Sequence, residues 1–126
     1  MDANVRGIGT DLVDIDRFRV ALARRHGLAD RLFGDHEREY AASQRDPAPS
    51  LAARFGAKEA VMKALGVGLF AFPLRDVEVV RGDDGAPHVH LHGRAAGIAE
   101  ARGVTGWHLS LTHTGALAMA VAVAVG

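Results

Sequence analysis

The C-terminal segment constrains the fold more than any other part of the chain. Every residue from Ala116 to Val125 is apolar, and Leu117, Met119, Val121, Val123 and Val125 alternate with Ala116, Ala118, Ala120, Ala122 and Ala124. A period of two puts the large side chains on one face of a β-strand and the methyl groups on the other. A face of alanines admits close approach, so this strand is expected to pack tightly against a helix or a neighbouring subunit. The run is ten residues long, too short to span a bilayer. The N-terminal Met1-Asp2-Ala3-Asn4 has no apolar core of a secretory signal, so the expected compartment is the cytoplasm, with no membrane association.

Other segments supply partners for that strand. Val5 to Thr10 reads as a first strand of little bulk. From Asp14 a helix follows, with Phe18, Ala21 and Leu22 at helical spacing, Asp14 or Asp16 as its cap, and an end near Gly27. A second helical patch covers Leu32 to Tyr40, and Ser43 to Ser50 reads as a linker in which Pro47 and Pro49 stop a helix. Ser50 is expected to cap the main helix, Leu51 to Leu65, which Gly66 ends. Val77 and Val79, the turn Gly82-Asp83-Asp84-Gly85, then Val89 and Leu91 predict a hairpin. Arg94 to Arg102 reads as a short helix, and Trp107 to His113 as a strand opened by a core aromatic. This order predicts one α+β domain over residues 1–126, an antiparallel sheet packed on a long helix.

Charge narrows the function. Fifteen Lys and Arg balance fifteen Asp and Glu, which argues against a nucleic-acid binder, and the absence of cysteine removes disulfides and thiolate chemistry. Thirteen of the cations are arginines; the two lysines, Lys58 and Lys63, both lie in the main helix. There Leu51, Phe55, Met62 and Leu65 form an apolar stripe that Lys58 enters, with Glu59 and Lys63 on its shoulder at i,i+4 spacing, as in a helix-stabilising ion pair. Charges beside an apolar stripe become partly buried, where an unpaired charge is costly. A lysine ammonium is compact and can pass a proton, as a guanidinium does not. Asp11 follows Gly7-Ile8-Gly9-Thr10, where glycines permit close approach of the backbone to a ligand or another strand. Asp11 and Glu59 together would suit a magnesium ion held by side chains and by phosphate oxygens of a substrate.

Three blocks sharpen this reading: Gly7-Ile8-Gly9-Thr10-Asp11 with Arg17, then Arg54-Phe55-Gly56-Ala57-Lys58-Glu59-Ala60 with Lys63-Ala64-Leu65-Gly66, then Ser110-Leu111-Thr112-His113-Thr114. In order and spacing the chain resembles the small, trimeric-type 4′-phosphopantetheinyl transferases that act on acyl carrier protein. The resemblance implies transfer of the 4′-phosphopantetheine of coenzyme A to a serine of apo acyl carrier protein, with release of adenosine 3′,5′-bisphosphate. By the same resemblance Asp11 and Glu59 would hold Mg²⁺, with Glu59 a candidate to accept the serine proton and Lys63 beside the phosphate oxygens. Arg54, Lys63, Gly66, His113 and Thr114 would contact coenzyme A, and Arg17 the carrier. It also implies a homotrimer with sites between subunits. Gly66-Val67-Gly68 stands where the family commonly has Gly-Thr-Gly, which removes one hydroxyl. The apolar stretch Leu69 to Leu74 would be a wall for the pantetheine arm or an interface. A non-catalytic coenzyme A or nucleotide-binding module is the alternative.

Two further clusters are weighed separately. His88, His90 and His92 alternate along one strand, a pattern that fits a transition-metal site or a solvated hairpin face, and the second reading is preferred. Residues 17–31 hold Arg17, Arg19, Arg24, Arg25 and Arg31 against the single acid Asp30. Such a run serves as a solvated helix face or as a steering surface for an acidic carrier.

Overall fold

The computed structural model describes residues 4–126; the expectation that the N-terminus carries no secretory signal falls, for Met1–Ala3, outside them. In chain order the elements are β1 (Val5–Asp14), α1 (Ile15–Arg24), α2 (Leu28–Leu32), α3 (Asp35–Ala42), α4 (Ala48–Ala64), a 3₁₀ turn (Leu74–Asp76), β2 (Val77–Arg81), β3 (Pro87–Leu91), α5 (Gly93–Ala101), β4 (Gly106–His113) and β5 (Leu117–Val125). The strands are antiparallel and form two sheets, a three-stranded one in the order β1-β5-β4 and the β2-β3 hairpin. The α+β expectation holds, with the hairpin as a separate ribbon rather than part of one sheet.

The alanine strand lies at the centre. Ala118, Ala120, Ala122 and Ala124 are fully buried and α4 packs across them, so a helix covers the alanine face. β1 comes closer still. A Cβ on Gly7 would stand 1.8 Å from the Ala64 carbonyl oxygen, and one on Gly9 1.8 Å from that of Ala60. The glycines thus serve contact with a helix, where a ligand or a strand was expected. The other sheet face carries Ile8, Leu12 and Met119, all exposed, with Leu12 opposite Met119 in the register.

Several boundaries differ from expectation. β1 runs on to Asp14, whose carboxylate caps α1 by accepting from Arg17 N at 3.0 Å. The patch expected at Leu32–Tyr40 is two helices, divided at Phe33 and Gly34, where the chain is extended. α4 begins at Ala48, not after Ser50, because the first turn of a helix has no intrahelical use for its N–H groups and tolerates Pro49. Ser50 is therefore no cap; its hydroxyl accepts from Arg54 Nη1 at 2.7 Å. The C-terminus is as expected: Gly66 at φ 71° donates to Lys63 O and Val67 N donates to Met62 O, the paired bonds of a Schellman motif. Val67 packs on the core there.

The expected single stripe on α4 is replaced by burial almost all round, since the sheet, α1, α3 and β2 all pack on it. One core cluster joins its second half to the hairpin, α5 and β5 through Val61, Met62, Leu65, Phe72, Val77 and Ala122. The other joins its first half to α1 and α3 through Ile15, Phe18, Phe33 and Leu51. Phe55, placed in the stripe by periodicity, is half-buried and lies against Phe18 at 5.1 Å between ring centres. Trp107 is partly buried, packed at the rim of the first cluster.

Candidate active site

Asp11 and Glu59 face the same cavity, about 440 Å³, which Arg17, Phe18 and Phe55 also line. The backbone brings them there. Gly9 seats β1 on Ala60, so Asp11, two residues on and on the same strand face, meets the helix at Gly56, where its Oδ2 would be 3.7 Å from an added Cβ. Glu59 lies three residues beyond Gly56, on the same side of α4. Partial burial and the neighbouring Asp11 charge raise the Glu59 pKa above its ordinary value, against an opposing pull from Lys63.

Lys63 does not make the i,i+4 pair with Glu59 that its spacing suggested. Its ammonium donates to Thr10 O at 2.9 Å and to Asp11 Oδ1 at 3.2 Å, because β1 offers a carbonyl and a carboxylate together. Two carboxylates with mutually unfavourable charge beside one ammonium form a donor set of hard oxygens. That set fits a divalent cation such as Mg²⁺, completed by phosphate oxygens. Among the described residues no third Asp, Glu or His joins them to form a larger ligand cluster.

A second cavity, about 320 Å³, opens on another side of α4 and is lined by Tyr40, Arg54, Arg81, Pro87, Leu111 and His113. At about 100° per residue, Arg54 and Glu59 project about 140° apart. Arg54 is 8 % exposed, and burial lowers its pKa. Its guanidinium lies 4.5 Å from the centre of the Tyr40 ring, donates to Ser50, and leaves Nε without a partner. No carboxylate pairs with it among the described residues. A buried cation lacking an anion, beside an open cavity, suits an anionic ligand. Arg81 also stands over Tyr40, at 5.6 Å, and donates to its hydroxyl. Sequence reasoning missed Tyr40 and Arg81, since neither falls in the three blocks.

The remaining expected residues are placed as follows. His113 Nδ1 lies 3.2 Å from Thr114 O, and Thr114 Oγ1 accepts from Ala116 N and Leu117 N in the β4–β5 turn, leaving its hydroxyl hydrogen to donate. The Gly66 N–H is engaged within the helix cap. Lys58 is fully buried and paired with Glu37, a partner that sequence spacing does not reveal across 21 positions. His88 sits 3.3 Å from Asp84 and His92 3.2 Å from Glu78, so these two histidines have separate carboxylate partners. Of the five arginines in residues 17–31, Arg19 pairs with Asp46 at 2.5 Å; the other four pair with no carboxylate among the described residues. Leu69 and Phe70 are exposed, whereas Phe72 enters the core.

Comparison with known proteins agrees with this arrangement. Residues 7–122 match the family model of the 4′-phosphopantetheinyl transferase superfamily. A holo-acyl-carrier-protein synthase of Frankia casuarinae is 48 % identical over 122 residues, covering 95 % of this chain and 97 % of the relative. An acyl carrier protein synthase of Plasmodium yoelii, solved with ADP bound, superposes with a TM-score of 0.91 at 27 % identity, covering 100 % of this chain and 98 % of that one. A holo-acyl-carrier-protein synthase of Bacillus anthracis, solved in complex with CoA (3′,5′-ADP), gives 0.81 at 27 % identity, with 97 % of each chain covered. This chain belongs to the holo-acyl-carrier-protein synthases of the 4′-phosphopantetheinyl transferase superfamily.

Proposed function

We propose that the cavity between β1 and α4 is where this single-domain synthase moves the 4′-phosphopantetheine of coenzyme A onto a serine of apo acyl carrier protein, releasing adenosine 3′,5′-bisphosphate. The carrying observation is the convergence of Asp11, Glu59 and Lys63. Asp11 and Glu59 would hold Mg²⁺, which would supply neutralisation of pyrophosphate charge and orientation for in-line attack. Glu59 takes the proton as the serine Oγ bonds to the phosphorus that carries pantetheine. The bond from that phosphorus to the bridging oxygen breaks. Lys63, held on β1, meets the charge that develops on the departing phosphate.

Arg54 and His113 bind phosphate or adenosine parts of coenzyme A, with Thr114 as a hydroxyl donor and Gly66 admitting close approach. Arg17 stands at the cleft and contacts the carrier. The two cavities share no lining residue, and the sheet face with Ile8, Leu12 and Met119 is uncovered. Both facts support a homotrimer in which one copy's Asp11 and Glu59 meet the next copy's Arg54 and His113. An enzyme with these substrates acts in the cytoplasm, in fatty acid biosynthesis; no helix among the described residues is long and apolar enough to cross a membrane.

The test is incubation of apo carrier with coenzyme A and this protein, with and without Mg²⁺, followed by mass spectrometry. The carrier is expected to gain one phosphopantetheine only with the metal present. An unmodified carrier in both arms, with enzyme and carrier folded, overturns the reading; modification without Mg²⁺ removes the metal from it.

A further inference from the structure

Three groups of the Arg54 cavity come from three different elements: Tyr40 from α3, Arg54 from α4 and Arg81 from β2. At the cavity itself Tyr40 touches both cations. A second, fully buried contact joins the same three elements beneath it, the Glu37–Lys58 pair. Glu37 Oε1 accepts from Lys58 Nζ at 2.8 Å and from Gly34 N at 3.0 Å, while its Oε2 accepts from Val79 N at 3.2 Å. Lys58 also donates to the carbonyls of Leu74, at 3.3 Å, and Val77. Both side chains have no solvent exposure.

The junction and the cavity are in step along each element. Tyr40 lies one helical turn after Glu37, Arg54 one turn before Lys58, and Arg81 one strand repeat after Val79. Each cation-pocket group therefore lies on the same side of its element as a group in the junction. The ion pair closes α3, α4 and β2 at one level, and the pocket forms at the next. We infer that Glu37 and Lys58 are positioning residues for coenzyme A binding: their buried pair sets the spacing of Tyr40, Arg54 and Arg81 around an anionic phosphate of the substrate. The inference rests on the reading that this cavity receives part of coenzyme A. Glu59 projects about 100° around α4 from Lys58, and neither it nor Asp11 is among the hydrogen-bond partners of this junction.

Steady-state kinetics test it, with coenzyme A and with 3′-dephospho-coenzyme A, which lacks the phosphate monoester. In Glu37→Gln the amide nitrogen must oppose either Val79 N–H or the Lys58 ammonium, so one link breaks. The double variant Glu37→Leu with Lys58→Met removes both charges at similar volume and keeps the core filled, an exchange that buried ion pairs often tolerate. The expected result is a KM for coenzyme A raised about five- to tenfold in both, kcat within about twofold, and KM for the dephospho substrate unchanged. A fall in kcat that follows the folded fraction, with KM for coenzyme A unchanged, marks the pair as purely structural and overturns the inference. Arg54→Leu is the separate control. If it too leaves KM for coenzyme A unchanged, the cavity assignment itself fails, whatever the junction variants do.

Discussion

Lys63 reaches from α4 to the carboxylate of Asp11 on β1 and leaves Glu59, its neighbour one helical turn back, to the open cavity. The ammonium thereby neutralises the strand carboxylate of the pair, and the helix carboxylate carries a raised proton affinity. In the proposed reaction Lys63 steadies Asp11 on the strand, and Glu59 stays free to face the cavity.

Asp11→Asn and Glu59→Gln are each expected to lower kcat/KM for carrier modification by at least about a hundredfold, in the range of lost acid–base and metal-ion assistance. Lys63→Ala is expected to fall less far, about tenfold to a hundredfold, because it stabilises charge at the edge of the site. Circular dichroism at matched temperature checks that the fold is kept. A variant at Asp11 or Glu59 with wild-type rates removes that carboxylate from the mechanism.

The raised Glu59 pKa also bears on stability. A carboxyl that holds its proton more tightly folded than unfolded favours the native state below the unfolded carboxyl range, about pH 4.3. That contribution is lost as pH rises through the elevated folded value. At neutral pH without metal, the ionised Glu59 is therefore a burden. Glu59→Gln should raise the melting temperature of the metal-free protein by on the order of one or two degrees at pH 7, the small size reflecting solvent screening at a half-exposed site. The gain should shrink toward pH 4. Melting curves with chelator present decide it; a loss of stability at pH 7 contradicts the assignment.

Gly9→Ala forces a Cβ into the Ala60 carbonyl oxygen. Neither partner is a movable side chain, so β1 and α4 must separate. The expected cost is at least about 3 kcal/mol, in the upper range for overpacking, with transfer activity lost along with stability. Urea unfolding gives the number. A cost below about 1 kcal/mol shows that the strand shifts freely.

Leu12→Asp and Met119→Asp each place a charge on the exposed sheet face, at paired positions of β1 and β5. If copies of the chain cover this face, either variant sediments as a single chain. Transfer then fails although the fold remains, because each site needs two copies. A wild-type protein that sediments as a single chain while fully active refutes the shared site.

Association with an acidic carrier through α1 should depend on salt. Arg17→Ala and Arg24→Ala are each expected to raise the carrier KM by roughly two- to fivefold at low ionic strength, with a smaller effect at high salt. An identical effect at all salt concentrations points to a short-range contact rather than steering.

Much of this fold was legible in the sequence because strong local rules governed it. Alternation placed β5, the Gly-Asp-Asp-Gly turn placed the hairpin, and Gly66 ended α4 as its positive φ requires. The start of α4 was misread because a proline stops a helix from within and tolerates one beginning around it. The three sequence blocks named Asp11, Glu59 and Lys63, but the Lys63–Asp11 contact joins residues 52 positions apart. The Glu37–Lys58 pair was signalled in part, by a lysine entering an apolar stripe. Its partner was hidden among many acids, and only packing of α3 on α4 selects Glu37.

The contact of Gly7 and Gly9 with the carbonyls of Ala64 and Ala60 has a further consequence. No rotatable bond of an intervening side chain separates the strand from the helix. The interval between the two acidic positions is thus ruled by main-chain atoms in van der Waals contact, and rotamer disorder on heating leaves it unchanged. The geometry of the site is graduated in the backbone, like marks cut into a gauge, and a larger side chain at Gly7 or Gly9 recuts it.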